Sequence, residues 1–286
     1  MISASLEARP LPSVLSFLLL TFAISWGVPG VGMLLAMWVP GFPFTLEMYT
    51  PFYYVGVWGP GIAAFILIGR ARGWAGVKAY AGRMLDWRLG WWWGFALVVI
   101  PLLYLSGALI EHAMGTPGAL EWYRGSWAAL ALAFLLRATA GPVEELGWRG
   151  YALPLLQRSV SPWAAVLVLA AMHTLWHAPA FAVAFASDTH FGSELPLHLS
   201  LGRFALNIFA ITVFMNVAWN ATGGRVTSAF LIHWTLNGIY PWEGPADVMF
   251  GQNVALLAAA GIMAVTVGRR WLTPENAVRE VCPRAG

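Results

Sequence analysis

The chain consists of long apolar stretches separated by short polar connections. Eight stretches are long enough to cross a bilayer, because a spanning helix needs roughly 17–25 predominantly apolar residues. They lie near 13–37, 52–69, 91–111, 126–157, 161–184, 202–220, 225–241 and 252–268. Gly or polar residues interrupt the first and seventh stretches, and the fourth is too long for one simple span. The pattern predicts an all-α polytopic membrane bundle of about eight transmembrane helices.

Composition supports the same class of protein. Hydrophobic residues make up 59% of the chain and charged residues only 10%, whereas soluble domains carry about 25% charged residues. The longest polar connections, 70–90 and 185–201, are too short to fold on their own. We therefore expect a single integral-membrane domain over 1–286. No basic stripe alternates with exposed aromatic residues, so nucleic acid is not an expected partner.

The basic residues predict how the chain is oriented. Arg137 and Arg149 lie inside an apolar stretch, and the other fourteen of the 16 basic residues divide twelve to two between the sides of the predicted bundle. The richer side carries Arg9, Arg70, Arg72, Lys78, Arg83, Arg88, Arg158, Arg225, Arg269, Arg270, Arg279 and Arg284. Because Lys and Arg favour the cytoplasmic side, both termini are expected in the cytoplasm. Arg greatly outnumbers Lys, which indicates a GC-rich bacterial genome, and the expected location is the bacterial inner (cytoplasmic) membrane.

Charge inside the fourth apolar stretch points to a functional site. Glu144, Glu145 and Arg149 lie there, although each such group costs about 2.5–3.5 kcal/mol at a helix centre in the membrane. Glu145 and Arg149 have the i, i+4 spacing of a helical ion pair. Glu144 is rotated by about 100° from Glu145, so it is expected to face another helix. The ionisable residues crowd the C-terminal half, which places the catalytic core at about 126–241.

Two later apolar stretches bring histidines to this region. His177 follows Trp176 and precedes Pro179, and His233 lies one helical turn before Asn237. Straight helices would place Glu144, His177, His233 and Asn237 in one layer about 13 Å thick. His173 lies one turn before His177 on the same face. A lone membrane histidine is more often an interhelical hydrogen-bond partner than a catalyst, and we prefer that interpretation for His173.

These residue types suit hydrolysis of an amide bond. A glutamate and a histidine can take a proton from water, while a second histidine and an asparagine can donate hydrogen bonds to the oxyanion. The alternative is zinc-assisted hydrolysis with the histidines and a glutamate as ligands. The sequence contains no His-Glu-x-x-His motif, and it leaves open whether zinc is a cofactor.

Three motifs in order resemble the CPBP family of CAAX prenyl proteases and bacteriocin-processing enzymes, also called Abi proteins. They are Glu144-Glu145-x-x-x-Arg149, Trp176-His177-x-Pro179 and His233-x-x-x-Asn237. The resemblance covers roughly 141–240. It implies an intramembrane endopeptidase in which Glu144 and His177 activate water and His233 and Asn237 form the oxyanion pocket. Glu145, Arg149 and His173 are then supporting residues.

One position departs from the family pattern. The family has an aromatic residue four positions before the catalytic histidine, and here that position is His173. A shifted motif would make His173 catalytic, but the Trp-His-x-Pro context favours His177. The substrate is expected to be a membrane-anchored or lipidated peptide or protein in the bilayer. Most bacteria do not prenylate proteins, so a prenylated substrate is not assumed.

Two other classes of function remain as alternatives. Buried Glu and His residues also relay protons in proton-coupled transporters, although these are commonly built from repeats and none is visible here. A non-catalytic immunity or adaptor protein of the membrane is the other alternative. It predicts that variants of Glu144 and His233 keep their phenotype.

Overall fold

The computed structural model of the chain describes residues 5–47, 49–186, 196–238, 240–242 and 249–281, and these residues form helices without β-strands. The α-helices are α1 (Ser5–Ala8), α2 (Pro10–Phe22), α3 (Val28–Trp38), α4 (Pro51–Gly82), α5 (Trp92–Gly94), α6 (Ile100–Ala113), α7 (Trp127–Arg137), α8 (Glu145–Gly147), α9 (Leu153–Ser159), α10 (Pro162–Ala186), α11 (Leu197–Ala221), α12 (Val226–Leu236), α13 (Met249–Val265) and α14 (Gly268–Trp271). The predicted all-α fold class is confirmed.

Five helical stretches among the described residues are long and apolar enough to cross a membrane. They are Pro10–Trp38, Pro51–Leu85, Trp92–Ala113, Pro162–Phe185 and Leu197–Ala221, and each overlaps one of the predicted spans. Helices α12 and α13 are apolar but shorter. The count of eight spans and the cytoplasmic position of both termini stay predictions.

The fourth apolar stretch, 126–157, is not one continuous helix. It folds as α7, then a 3₁₀ turn at Gly141–Glu144, then α8, a π-helical segment at Trp148–Ala152 and finally α9. The break between α7 and the 3₁₀ turn falls where Ala140 adopts φ −103°, ψ −114° and Pro142 follows. Proline cannot donate a backbone hydrogen bond inside a helix, so the sequence interrupts the helix just before the two glutamates.

Each π-helical segment ends shortly before a proline. The segments are Ala23–Gly27 before Pro29, Phe95–Val99 before Pro101, and Trp148–Ala152 before Pro154. A proline ring collides with the carbonyl four residues earlier in a regular α-helix, and a wider turn relieves that contact. Pro179 acts differently, because α10 continues through it.

The connection predicted at 70–90 is largely helical. Helix α4 continues to Gly82 with a kink at Gly73, whose φ of 64° is accessible to glycine without strain. A 3₁₀ turn at Arg83–Leu85 follows. The polar residues of this connection therefore lie on an ordered helix end.

Helix α11 forms the centre of the bundle and is buried continuously from Ala210 to Asn220. Helices α10, α12 and α13 pack around it, and a second group of buried apolar residues joins α2 and α4 to the segment 146–156. Large apolar side chains such as Leu15, Leu19 and Leu132 are exposed on the outside, as expected for a surface that contacts lipid rather than water.

Candidate active site

The helix break after α7 places two carboxylates inside the bundle. Glu144 ends the 3₁₀ turn and Glu145 begins α8. The side chains are almost completely enclosed, with Glu144 2% and Glu145 0% exposed. Such groups need hydrogen-bond or ionic partners, because an unpaired buried charge is very costly.

Glu145 is the acceptor in a buried polar cluster. Arg149 Nη1 donates to both carboxylate oxygens of Glu145, at 3.0 and 2.7 Å. Arg149 Nη2 also donates to Thr212 Oγ1 on α11, at 3.1 Å. His233 Nδ1 lies 2.7 Å from Glu145 Oε1. The predicted ion pair is present, and it ties the broken helix to α11 and α12.

The Glu144 side chain faces α10 and forms a carboxylate–histidine pair with His173, separate from the Glu145 cluster. Its Oε2 lies 3.0 Å from His173 Nε2, so the histidine assigned to interhelical bonding contacts the candidate catalytic glutamate directly. The His177 ring stacks on that of His173 with centroids 5.1 Å apart. The Phe204 ring packs against the His177 ring, with ring centroids 4.7 Å apart.

Asn237 lies just beyond the end of α12, and its backbone N–H still donates to the His233 carbonyl at 2.9 Å. The side chains of both residues approach Gly141. A Cβ on Gly141 would collide with Asn237 Nδ2 and would lie 2.8 Å from His233 Nε2. We call the space that the missing Cβ leaves between these two nitrogens the Gly141 gap.

A cavity of about 630 Å³ brings the predicted residues together. Glu144, His173, His177, His233 and Asn237 line it, as does Gly141. The remaining wall comes mainly from apolar and aromatic side chains of α3, α4, α10 and α11, and from residues 45–47. Glu145 and Arg149 are not among the lining residues. The cavity is therefore an apolar chamber with a small polar centre.

Three of these residues form a set of donors that could hold a metal ion. One ligand atom from each of Glu144, His173 and His177 lies within 4.8 Å of the others. Two imidazoles and a carboxylate are a donor set that zinc accepts. The outer nitrogen of His173, Nδ1, is buried and has no hydrogen-bond partner within the described structure, although zinc-bound histidines usually have one.

Comparison with protein families gives a match to the part of the chain that contains the candidate residues. Residues 125–239 match the family model described as Type II CAAX prenyl endopeptidase Rce1-like. The predicted resemblance is confirmed. The Rce1-like segment includes every candidate residue from Glu144 to Asn237, and the helices outside it provide part of the cavity wall. Comparison with curated proteins gives no match. The long apolar helices and the Rce1-like match both fit a multi-pass membrane protein.

Sequence reasoning missed two contributors to the site. Gly141 was not singled out, although the Gly-Pro pair before two glutamates is a signal for a backbone turn there. Thr212, which accepts from Arg149, is a single hydroxyl in an apolar helix. Its importance depends on how α11 packs against the segment 148–152, which no local pattern reveals.

Proposed function

We propose that this chain is an intramembrane endopeptidase of the CAAX-protease type, which hydrolyses a peptide bond of a membrane-associated substrate. The observation that carries the proposal is the meeting of Glu144, His173, His177, His233 and Asn237 in one cavity. They come from three separate helical segments, and the cavity walls are apolar. The Rce1-like match over residues 125–239 supports the same reaction class.

Peptide hydrolysis needs a proton acceptor for water, a donor for the oxyanion and a proton source for the leaving amine. Two glutamate–histidine pairs border or adjoin the cavity, namely Glu144–His173 and Glu145–His233. His177 stands beside the first pair. Asn237 supplies an amide donor at the Gly141 gap. These groups are sufficient for a water activated by glutamate and histidine side chains.

Zinc is the cofactor that the donor set would suit. Glu144, His173 and His177 would hold the ion, and when bound it would supply a Lewis acid for water or for the substrate carbonyl. Metal analysis of purified protein checks this point. A zinc enzyme would carry one ion per chain and lose it on His177→Ala, but not on replacement of the exposed His198 by Ala.

The proposed activity is tested with a panel of membrane-anchored and prenylated peptides, with products identified by mass spectrometry. Glu144→Gln is expected to lower kcat about 10²–10⁴-fold, the usual contribution of a proton-transferring group. The matched control is Glu121→Gln, because Glu121 is exposed and lies outside the cavity. Equal cleavage by wild type and a folded Glu144→Gln variant would refute the proposal.

A further inference from the structure

The part of the cavity wall that α11 provides contains one amide among apolar side chains. The residues that line the cavity from α11 are Phe204, Asn207, Ile208 and Ile211. At one end of this row, the Phe204 ring packs against His177. Just past its other end, Thr212 accepts a hydrogen bond from Arg149. Asn207 lies between these two contacts along the helix, which places it at the level of the candidate catalytic residues.

The orientation of the Asn207 amide follows from its contact with Asn253 on α13. Asn253 Nδ2 donates to the Arg203 carbonyl oxygen at 2.8 Å. Because a carbonyl oxygen can only accept, Asn253 must present its NH₂ group there, and its Oδ1 faces Asn207. That oxygen also needs a donor, and Asn207 Nδ2 supplies one at 3.3 Å. The Asn207 Oδ1 is therefore on the side of its amide away from Asn253.

This carbonyl oxygen accepts no hydrogen bond from any residue that the structure describes. Asn207 lines the cavity, whereas none of the described α13 residues does. The cavity therefore borders a different side of Asn207 from the one that contacts Asn253. A polar atom at an apolar wall is stabilised by a hydrogen bond, and a ligand in the cavity can supply it through an N–H group.

The backbone of a peptide carries donors that match this acceptor. A peptide segment that lies in the membrane without helical structure has unpaired N–H groups, which must find partners in the protein or in water. Phe204, Ile208 and Ile211 offer no acceptor on this wall. A hydrogen bond to the main chain also fixes the register of a bound peptide without reading its side chains.

Building on the proposed function, we propose that Asn207 is a substrate-positioning residue whose Oδ1 accepts a hydrogen bond from one backbone N–H of the bound peptide. Asn253 holds the amide in the orientation that this bond requires. The contact sets the position of the peptide along the cavity relative to Glu144 and His177. It contributes to binding through the peptide backbone, so it tolerates different side chains in the substrate.

The test is a series of peptides in which one amide bond at a time is replaced by an ester, because an ester lacks the N–H and keeps nearly the same shape. The parent is the peptide of the panel that binds tightest. Binding to full-length Glu144→Gln protein in nanodiscs is measured by fluorescence anisotropy, with empty nanodiscs as the blank. We expect one ester position to raise Kd about 3–10-fold, the scale of one lost hydrogen bond. Adding Asn207→Leu should abolish that difference.

Asn253→Leu is the matched control, because it removes the partner of Asn207 and leaves the Asn207 carbonyl in place. It should keep a loss at the same ester position. If the Asn207–Asn253 pair only joins α11 to α13, both variants should lower the melting temperature and neither should change the ester pattern. An ester pattern that is the same with and without Asn207→Leu would overturn the proposal. If Asn207→Leu does not fold, Asn207→Ala takes its place.

The outcome for Asn207 is distinguishable from that for the protease activity. Cleavage by the wild type, with an ester pattern that does not depend on Asn207, would leave the proposed function standing and remove Asn207 as a positioning residue. An Asn207-dependent pattern in a protein that cleaves no peptide would contradict the proposed function and leave Asn207 as a peptide-binding residue. Binding of none of the panel would contradict both proposals.

Discussion

Because Gly141 has no side chain, the side chains of Asn237 and His233 can approach its backbone closely. We predict that Gly141→Ala lowers kcat/KM about 10²–10³-fold, the scale seen when one positioned hydrogen-bond donor is lost. The added methyl group would fill the gap beside Asn237 Nδ2 and His233 Nε2. Steady-state kinetics against the best peptide of the panel measures the effect.

The control for this prediction is Gly94→Ala, because a Cβ there meets no atom within 4 Å. It should leave both kinetics and the melting temperature close to those of wild type. A Gly141→Ala variant with normal kcat/KM would show that catalysis does not need the close approach of Asn237 and His233 to Gly141.

The buried ion pair of Arg149 and Glu145 is expected to contribute to the stability of the fold. We predict that Arg149→Ala lowers the free energy of unfolding by about 3–5 kcal/mol, because it leaves the Glu145 carboxylate buried without its cation. Arg124→Ala is the comparison, because Arg124 is exposed and surface charges contribute little to stability. Denaturation in micelles, followed by tryptophan fluorescence, measures both variants. Equal stability of Arg149→Ala and Arg124→Ala would contradict the assigned importance of burial.

At the scale of helices, close packing depends on small residues at the crossing of α6 and α13. A Cβ on Gly107 would lie 2.7 Å from the backbone of Gln252, and one on Gly251 would collide with the Gly107 carbonyl. The Gly251 N–H also donates to the buried Glu111 carboxylate at 2.8 Å. Small residues permit this approach between apolar helices.

We predict that Gly107→Ala and Gly251→Ala each destabilise the protein by about 1–3 kcal/mol, the typical cost of overpacking. Gly261→Ala on the same helix is the matched control, because a Cβ there meets nothing within 4 Å. It should be neutral or slightly stabilising, since alanine is the better helix former. A thermal-shift series on the three variants decides the matter, and a loss of stability that is equal in all three would refute the packing argument.

The positions of the long helices were predictable because the length of each apolar stretch can be read from the sequence. Five predicted spans overlap long helices. The division of the apolar stretch 126–157 into several short helical segments was harder to predict from the sequence. Pro142 and Pro154 mark its irregular turns, but only the folded arrangement shows that these turns aim Glu144 at α10 and Arg149 at α11. The same limit applies to His173, because its spacing places it on the His177 face and its contact with Glu144 depends on tertiary packing.

Across the whole molecule, the C-terminal segment ties distant helices together at one end of the bundle. Gln157 on α9 donates to the Val278 carbonyl at 2.9 Å, and Asn220 on α11 accepts from the Val278 N–H at 3.0 Å. Arg83, after α4, donates to the Val281 carbonyl at 2.6 Å. The helices that build the site are therefore held at this end by extended chain as well as by helix packing.

Asp86 makes a second tie at this end, between the end of α4 and the start of α12. Arg88 donates to both of its carboxylate oxygens at 2.9 Å, and Arg225 Nε donates to Oδ2 at 2.9 Å. The hydrogen bonds from Arg88, and then those from Arg225, hold the pKa of Asp86 well below its ordinary value of 3.8. Because the pKa is lower in the folded state than in the unfolded state, the ionised carboxylate stabilises the fold above pH 3.8, and this contribution disappears as the pH falls below that value.

We therefore predict that Asp86→Asn lowers the melting temperature at pH 7 and that the difference from wild type shrinks as the pH falls below 3.8 toward the lowered pKa of the folded state. The change removes a carboxylate that fixes the first residues of α12, the helix that carries His233 and leads to Asn237. The expected functional effect is a fall in kcat at neutral pH without loss of folded protein. A difference in melting temperature that stays constant from pH 7 to about pH 2 would mean that the charge of Asp86 does not hold α12 in place.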